Sequence, residues 1–242
     1  MIDFGIIAAG EGSRIKKEGS FLPKPLLELE GKPMIGRLVA MMERAGANSV
    51  SVIVNSQNDE VTDYLEELVP KMNCPLKFIA TQTPSSLHSL YELLQIMKPT
   101  DKFVITTVDT VFGEESFYKY IEFFRNAPHD LDGVMGVTQF IDDESPLYVE
   151  VEDRHRIVGY KDTPEPGLKY VSAGVYGLHT SAFPVLQDCM TNGVERMRNF
   201  QRKLIEKGLN LDAFDMGKVI DIDHLSDIAK ANEFLASLRQ EK

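Results

Sequence analysis

Along the first half of the chain, short apolar runs alternate with stretches of helical periodicity. Four runs read as strands, near 4–8, 50–54, 76–80 and 103–108, because each is a brief apolar block bounded by turn-forming residues. Between the first two, Met34, Leu38, Met41, Met42 and Ala45 recur with the period of a helix and stop at Gly46; a glycine just past the last periodic residue is a helix-stop signal. The segment 59–68 repeats the pattern with Val61, Leu65 and Leu68. A third helix is predicted over 86–97, where Leu87, Leu90, Leu93, Leu94 and Met97 form one stripe and Pro99 ends it. Strands that are apolar throughout, separated by amphipathic helices, predict a parallel sheet covered on both faces.

The second half is richer in strands. Runs at 133–140, 147–151, 156–160 and 170–178 are strand-like with few helices between them, and the alternation in Tyr148-Val149-Glu150-Val151-Glu152 gives one buried and one wet face. These are read as antiparallel additions to the sheet. Helices return at about 181–190 and 194–207, followed by a strand at 210–215 and a last helix at about 224–239. No repeat, low-complexity tract or linker marks a boundary.

Composition narrows the classes. The 242 residues are 43% hydrophobic, 26% charged and 9% aromatic, an ordinary globular balance. A net charge of -11 without a basic patch excludes broad nucleic-acid binding, since a polyanion would be repelled. The first strand carries an acidic residue, lacks a basic n-region and is too short to span a membrane, so no membrane association and a cytoplasmic protein are expected. Cys74 and Cys189 lie far apart with no CxxC or histidine partner nearby, which points to free thiols.

Candidate chemistry begins after the first strand, in Ala8-Ala9-Gly10-Glu11-Gly12-Ser13-Arg14. Glycines there let backbone N–H groups approach an anion, although a plain tight turn accounts for a G-x-G equally well. A dinucleotide fingerprint is excluded, because Ile15 replaces its third glycine and the second strand runs into Asn55 and Ser56 with no acidic residue. A P-loop is excluded by the missing Gly-Lys-Ser/Thr. Further on, the strand at 103–108 is followed by Asp109, at the carboxyl end where open α/β sheets place ligands. Asp109 is a candidate Mg²⁺ ligand, with capping of the next turn as the alternative.

The order Ala8-Ala9-Gly10-x-Gly12-Ser13-Arg14, then Pro23-Lys24-Pro25-Leu26, then Gly31-Lys32-Pro33-Met34-Ile35 resembles the signature of the sugar-phosphate nucleotidyltransferase, or nucleotide-sugar pyrophosphorylase, family. The resemblance implies a Rossmann-like three-layer α/β sandwich with a mixed, mostly parallel sheet, the nucleotide-diphospho-sugar transferase fold. It implies one domain over 1–242, with the N-terminal half holding the nucleotide and the C-terminal half the acceptor. The implied reaction moves an NMP from an NTP to a phosphorylated acceptor, foremost a sugar 1-phosphate, and releases pyrophosphate. Alternatives are a cytidylyltransferase acting on phosphocholine or a similar phosphate, and an inactive nucleotide sensor.

Carried onto this sequence, the resemblance gives Arg14 and Lys24 catalytic roles, as cations at the α-phosphate where negative charge builds up. It makes Ala8, Ala9, Gly10, Gly12 and Ser13, with Gln82 and Ser86, nucleotide contacts, although Ser85 or Ser86 would serve as well as a helix N-cap. Mg²⁺ would be held by Asp109 and by Asp221 or Asp223, which point to the same side of an extended segment; Asp223 could instead cap the last helix. Tyr160-Lys161-Asp162-Thr163-Pro164 and Ser172-Ala173-Gly174-Val175-Tyr176 resemble acceptor segments and nominate Lys161, Asp162 and Gly174, with Thr163 standing where the family has lysine. Gly174 read alone is equally a bulge or close-packing glycine. His224 is expected to be structural. Homo-oligomers are common in the family, but no stripe assigns an interface.

Overall fold

The computed structural model describes residues 2–142, 144–152 and 155–240. From the start of the chain, β1 (Ile2–Ala8) leads into a short helix α1 (Ser13–Lys17) and a hairpin of β2 (Glu28–Leu29) and β3 (Lys32–Pro33). An alternating run follows: α2 (Met34–Arg44), β4 (Ala47–Val54), α3 (Asp59–Leu68), β5 (Leu76–Ala80), α4 (Ser86–Met97) and β6 (Lys102–Thr107). The second half holds β7 (Thr110–Val111), α5 (Glu114–Asn126), β8 (Gly133–Thr138), β9 (Tyr148–Val151), β10 (Ile157–Lys161) and β11 (Tyr170–His179). It ends with α6 (Phe183–Thr191), α7 (Met197–Glu206), β12 (Leu211–Asp215), β13 (Ile220–Asp221) and α8 (Leu225–Gln240).

The main sheet runs β5-β4-β1-β6-β11-β8-β12, with β9 and β10 joined to the first part of β11. Strands β5, β4, β1 and β6 are mutually parallel, whereas β11 is antiparallel to both β6 and β8. The expected antiparallel additions are therefore β11 and the β9–β10 pair, while β12 runs parallel to β8.

Period-two alternation sorts side chains into the two flanking layers. Phe4, Ile6 and Ala8 of β1 and Val50, Val52 and Val54 of β4 face α2, α3 and α5, while Ile7, Ala9 and Ile53 face α4, α6 and α7. Each large aliphatic side chain buried this way contributes roughly 1.5–3 kcal/mol. Helix α5 is not anticipated by the sequence reading. Its buried stripe, Phe117, Tyr120, Ile121 and Phe124, keeps helical spacing but is built of residues that favour strands intrinsically. A third cluster joins Ala231, Phe234 and Leu235 of α8 to Ile15, Leu29, Met34, Val111 and Ile220. It ties the segment after the glycine loop to β13, which carries Asp221.

Topology fixes where the cleft opens. Helices α2 and α3 cover one face and α4 the other, so the winding direction reverses at β1, with β4 on one side and β6 on the other. Ile7 pairs with Thr107, and the Val108 N–H donates to the Ile7 carbonyl at 3.0 Å. The glycine loop and Asp109 therefore emerge side by side at the carboxyl ends of adjacent strands, the usual ligand position in open α/β sheets. Among the described residues, no helix is long and apolar enough to cross a membrane.

Candidate active site

Two cavities meet at this switch point. One, of about 620 Å³, is lined by Ala8, Ala9, Gly10, Gly12, Lys24 and Gln82 among others, all from residues 7–109. The second, of about 320 Å³, is lined by Ser172, Gly174, Arg196, Arg198, Gln201 and Asp221 among others. Ser86, Thr107 and Asp109 line both, so the cavities are two lobes of one cleft.

In the first lobe Gly12 has φ +61, and a β-carbon there would approach Lys24 Cβ to 3.2 Å; glycine allows both the turn and the approach. Asn55, at the end of β4, donates from Nδ2 to the Ala9 carbonyl at 3.2 Å and braces the loop. Ser13 and Arg14 line a smaller hollow with Gly12, Lys24 and Asp223.

Cations and carboxylates converge between the lobes. Lys24 Nζ lies 2.7 Å from Asp109 Oδ2 and 3.2 Å from Asp223 Oδ1, while Arg14 reaches Asp223 Oδ2 at 2.9 Å. The Lys24 side chain is only 13% exposed and Asp109 30%, so the attraction is screened less than at an open surface. Burial pushes the Lys24 amine down, but Asp109 and Asp223 outweigh it and hold the amine above its ordinary range. Burial likewise pushes Asp109 up, and Lys24, the Thr107 hydroxyl and a backbone N–H overcome it, leaving the carboxyl below the usual range. The pair is ionised at neutral pH. Thr110 donates to Asp221 Oδ1 at 3.0 Å, and the Thr107 and Thr110 hydroxyls lie 2.7 Å apart.

The expected residues fall into four groups. Ala8, Ala9, Gly10, Gly12, Gln82, Ser86, Lys24 and Asp109 line the first lobe, and Gly174, Asp221 and Asp223 line the second. Ser13 and Arg14 sit at the adjoining hollow. Lys161 and Asp162 line neither lobe: Lys161 pairs with Glu165 at 3.7 Å, and Asp162 is gripped by Arg198 at 3.0 Å and Arg202 at 2.7 Å. Those bonds hold the Asp162 carboxyl below its ordinary range, the Arg202 hydrogen bond foremost.

Several alternatives are decided by hydrogen bonds. Neither serine caps α4: Ser85 Oγ bonds His88 and receives the Arg196 N–H, and Ser86 Oγ receives the Met197 N–H at 3.0 Å. The turn into α8 is capped by Asp227, whose carboxylate accepts the N–H groups of Asp223 and His224, so the Asp223 side chain remains in the cleft. His224 pairs with Glu18 and Glu144, a structural link. Gly174 has φ +67 beside a register shift in β11 and packs against Thr107 and Thr110. It is a bulge glycine that also lines the cleft.

Sequence reasoning missed Asn55, Thr107, Thr110, Arg196, Arg198 and Gln201. Arg198 and Arg202 stand one helical turn apart, a spacing that could have flagged them.

Fold and cleft together define an open α/β protein whose cleft lies at the topological switch point. A family model of the MobA-like NTP transferase domain matches residues 5–203, and the chain belongs to that family. It is 22% identical over 238 residues to the bifunctional protein GlmU of Methanococcus maripaludis, a match covering 96% of this chain and 54% of the relative. It is 26% identical over 182 residues to the mannose-1-phosphate guanyltransferase of Emericella nidulans, covering 73% and 49%. The chain thus spans about half the length of these curated relatives. Among solved structures, the inositol-1-phosphate CTP transferase from T. maritima superposes with a TM-score of 0.80 at 16% identity, covering 99% of this chain and 96% of that one. A putative glucose-1-phosphate thymidylyltransferase from Bacillus anthracis superposes with a TM-score of 0.83 at 17% identity, covering 97% and 95%. These likenesses show the nucleotide-diphospho-sugar transferase fold.

Proposed function

We propose that this protein is a Mg²⁺-dependent nucleotidyltransferase that moves an NMP from an NTP to a small phosphorylated acceptor, foremost a sugar phosphate, and releases pyrophosphate. The observation that carries the reading is the Lys24 ammonium held between Asp109 and Asp223 where the two lobes meet. The nucleotide occupies the lobe built by the N-terminal half, with its phosphates over Gly10 and Gly12. The acceptor occupies the lobe that adds C-terminal residues. An acceptor phosphate oxygen attacks the α-phosphorus as the bond to pyrophosphate breaks. That phosphate is already an anion, so no dedicated base is needed, and Arg14 and Lys24 stabilise the charge that builds up.

Asp109 and Asp223 suit a divalent ion: they come from distant parts of the chain, and the Lys24 ammonium between them marks a cation position. Among the described residues no cluster of three or more His, Cys, Asp or Glu side chains could cage a metal; Mg²⁺ needs only one or two carboxylates plus substrate phosphates. When bound it would neutralise phosphate oxygens. The test is pyrophosphate release with each common NTP against sugar 1-phosphates and phosphocholine, with and without EDTA. Release restricted to one pairing and abolished by EDTA supports the reading. Tight NTP binding with no release under any pairing would favour a sensor.

A further inference from the structure

The acceptor lobe is lined by two arginines that the reaction as drawn does not use. Arg196 and Arg198 both line this lobe, and neither lines the nucleotide lobe. Arg196 is exposed and has no ion-pair partner among the described residues. Its backbone sits at φ +68, a left-handed conformation unfavourable for a residue with a β-carbon and held only where surroundings enforce it. The enforcing bonds are the Arg196 N–H to Ser85 Oγ at 3.3 Å and the Met197 N–H to Ser86 Oγ at 3.0 Å. The turn before α7 is thus pinned to the start of α4, and Arg196 faces the cleft.

Arg198 is braced, donating to Asp162 Oδ1 at 3.0 Å and to the Ser145 carbonyl at 2.8 Å. Asp162, nominated by the sequence as an acceptor contact, has its carboxylate paired with Arg198 and Arg202. The same lobe is also lined by Asp109, Asp221 and Asp223. The lobe therefore combines carboxylates, where the reacting phosphate meets the cation position, with two arginines. A quaternary ammonium such as choline would be repelled by the two arginine charges.

We propose, building on the nucleotidyltransferase reading, that the acceptor carries a second anionic group, a carboxylate or another phosphate, received by Arg196 and Arg198. Guanidinium groups match such anions through paired charge-assisted hydrogen bonds.

The test measures pyrophosphate release with acceptors differing by one anionic group. The pairs are glucose 1-phosphate against glucose 1,6-bisphosphate and against glucuronate 1-phosphate, and glycerol 3-phosphate against 3-phosphoglycerate. The account expects kcat/KM to favour the doubly anionic partner of a pair by about tenfold or more, the scale of a charge-assisted hydrogen bond. Arg196→Gln and Arg198→Gln should each reduce that ratio, and Arg196→Lys, which keeps the charge but not the paired hydrogen bonds, should reduce it less than Arg196→Gln. A structural defect would lower both acceptors alike and leave the ratio standing, which would overturn the proposal. Preference for the singly anionic acceptors would overturn it while leaving nucleotidyl transfer intact. No release from any pair would overturn both.

Discussion

Replacing Gly174 by alanine tests the geometry of the cleft without touching a charged group. Its φ of +67 costs an alanine roughly 1–2 kcal/mol. The new methyl would also press on Thr110 Oγ1 and lie 2.9 Å from Thr107 Oγ1, closer than real β-carbons come to their neighbours. Overpacking of this kind adds about 1–3 kcal/mol. Gly193→Ala separates the two contributions, because Gly193 has φ +64 with nothing within 4 Å of the added carbon. Both variants should lose the backbone share, and only Gly174→Ala the packing share. For a domain of this size each kcal/mol is worth about 2–4 °C in Tm, so thermal unfolding followed by circular dichroism should place Gly174→Ala roughly 2–12 °C below Gly193→Ala. Displacement of Thr110 would also disturb its hydrogen bond to Asp221, and pyrophosphate release should fall with it. Equal melting temperatures for the two variants would refute the close packing of Gly174 on the threonine pair.

Lys24→Ala should slow the chemical step more than tenfold, since a charged donor to a transition state is worth about 2.7–4 kcal/mol; single-turnover kinetics with an unchanged rate would remove Lys24 from catalysis. Asp109, held below its ordinary range with Lys24 overcoming burial, contributes stability above its unfolded pKa of about 3.9. That contribution is lost as pH falls through the folded value. In Lys24→Met burial is opposed only by the Thr107 hydroxyl and a backbone N–H, the carboxyl moves up, and the fall in urea midpoint between neutral and acid pH should shrink; matching slopes would contradict the coupling. Ser86→Ala strips the acceptor from the Met197 N–H and should cost about 1–3 kcal/mol, read as a lower urea midpoint. An unchanged midpoint would mean that the α4–α7 link bears no load.

Legibility of the fold followed local pattern. Strands β1, β4 and β6 are mainly apolar on both faces and, with the edge strand β5, are interrupted by amphipathic helices, so their positions and mutual direction could be read from periodicity. The ladder of β7 with β13, two residues long on each side, has no local signature. Helix α5 escaped because its stripe is mainly aromatic. In the site, the glycine loop, Arg14, Lys24 and Asp109 were legible from motif and strand ends. Their convergence was not, since Lys24 meets Asp223 199 residues along the chain. The family pattern pointed to Lys161 and Asp162 for the acceptor, yet the side chains facing that lobe include Arg196 and Arg198. A single sequence cannot show that the turn before α7 adopts φ +68 and is pinned by Ser85 and Ser86.

The central claim is transfer of a nucleotidyl group, and the most direct measurement follows two labels from one NTP, on the α- and the γ-phosphate, through a reaction with Mg²⁺ and a phosphorylated acceptor. The account predicts the α-label in the acceptor product and the γ-label in pyrophosphate, both lost in Asp109→Ala while its circular dichroism stays native. A γ-label found in orthophosphate or on the acceptor, with the α-label left in a nucleoside diphosphate, would contradict it.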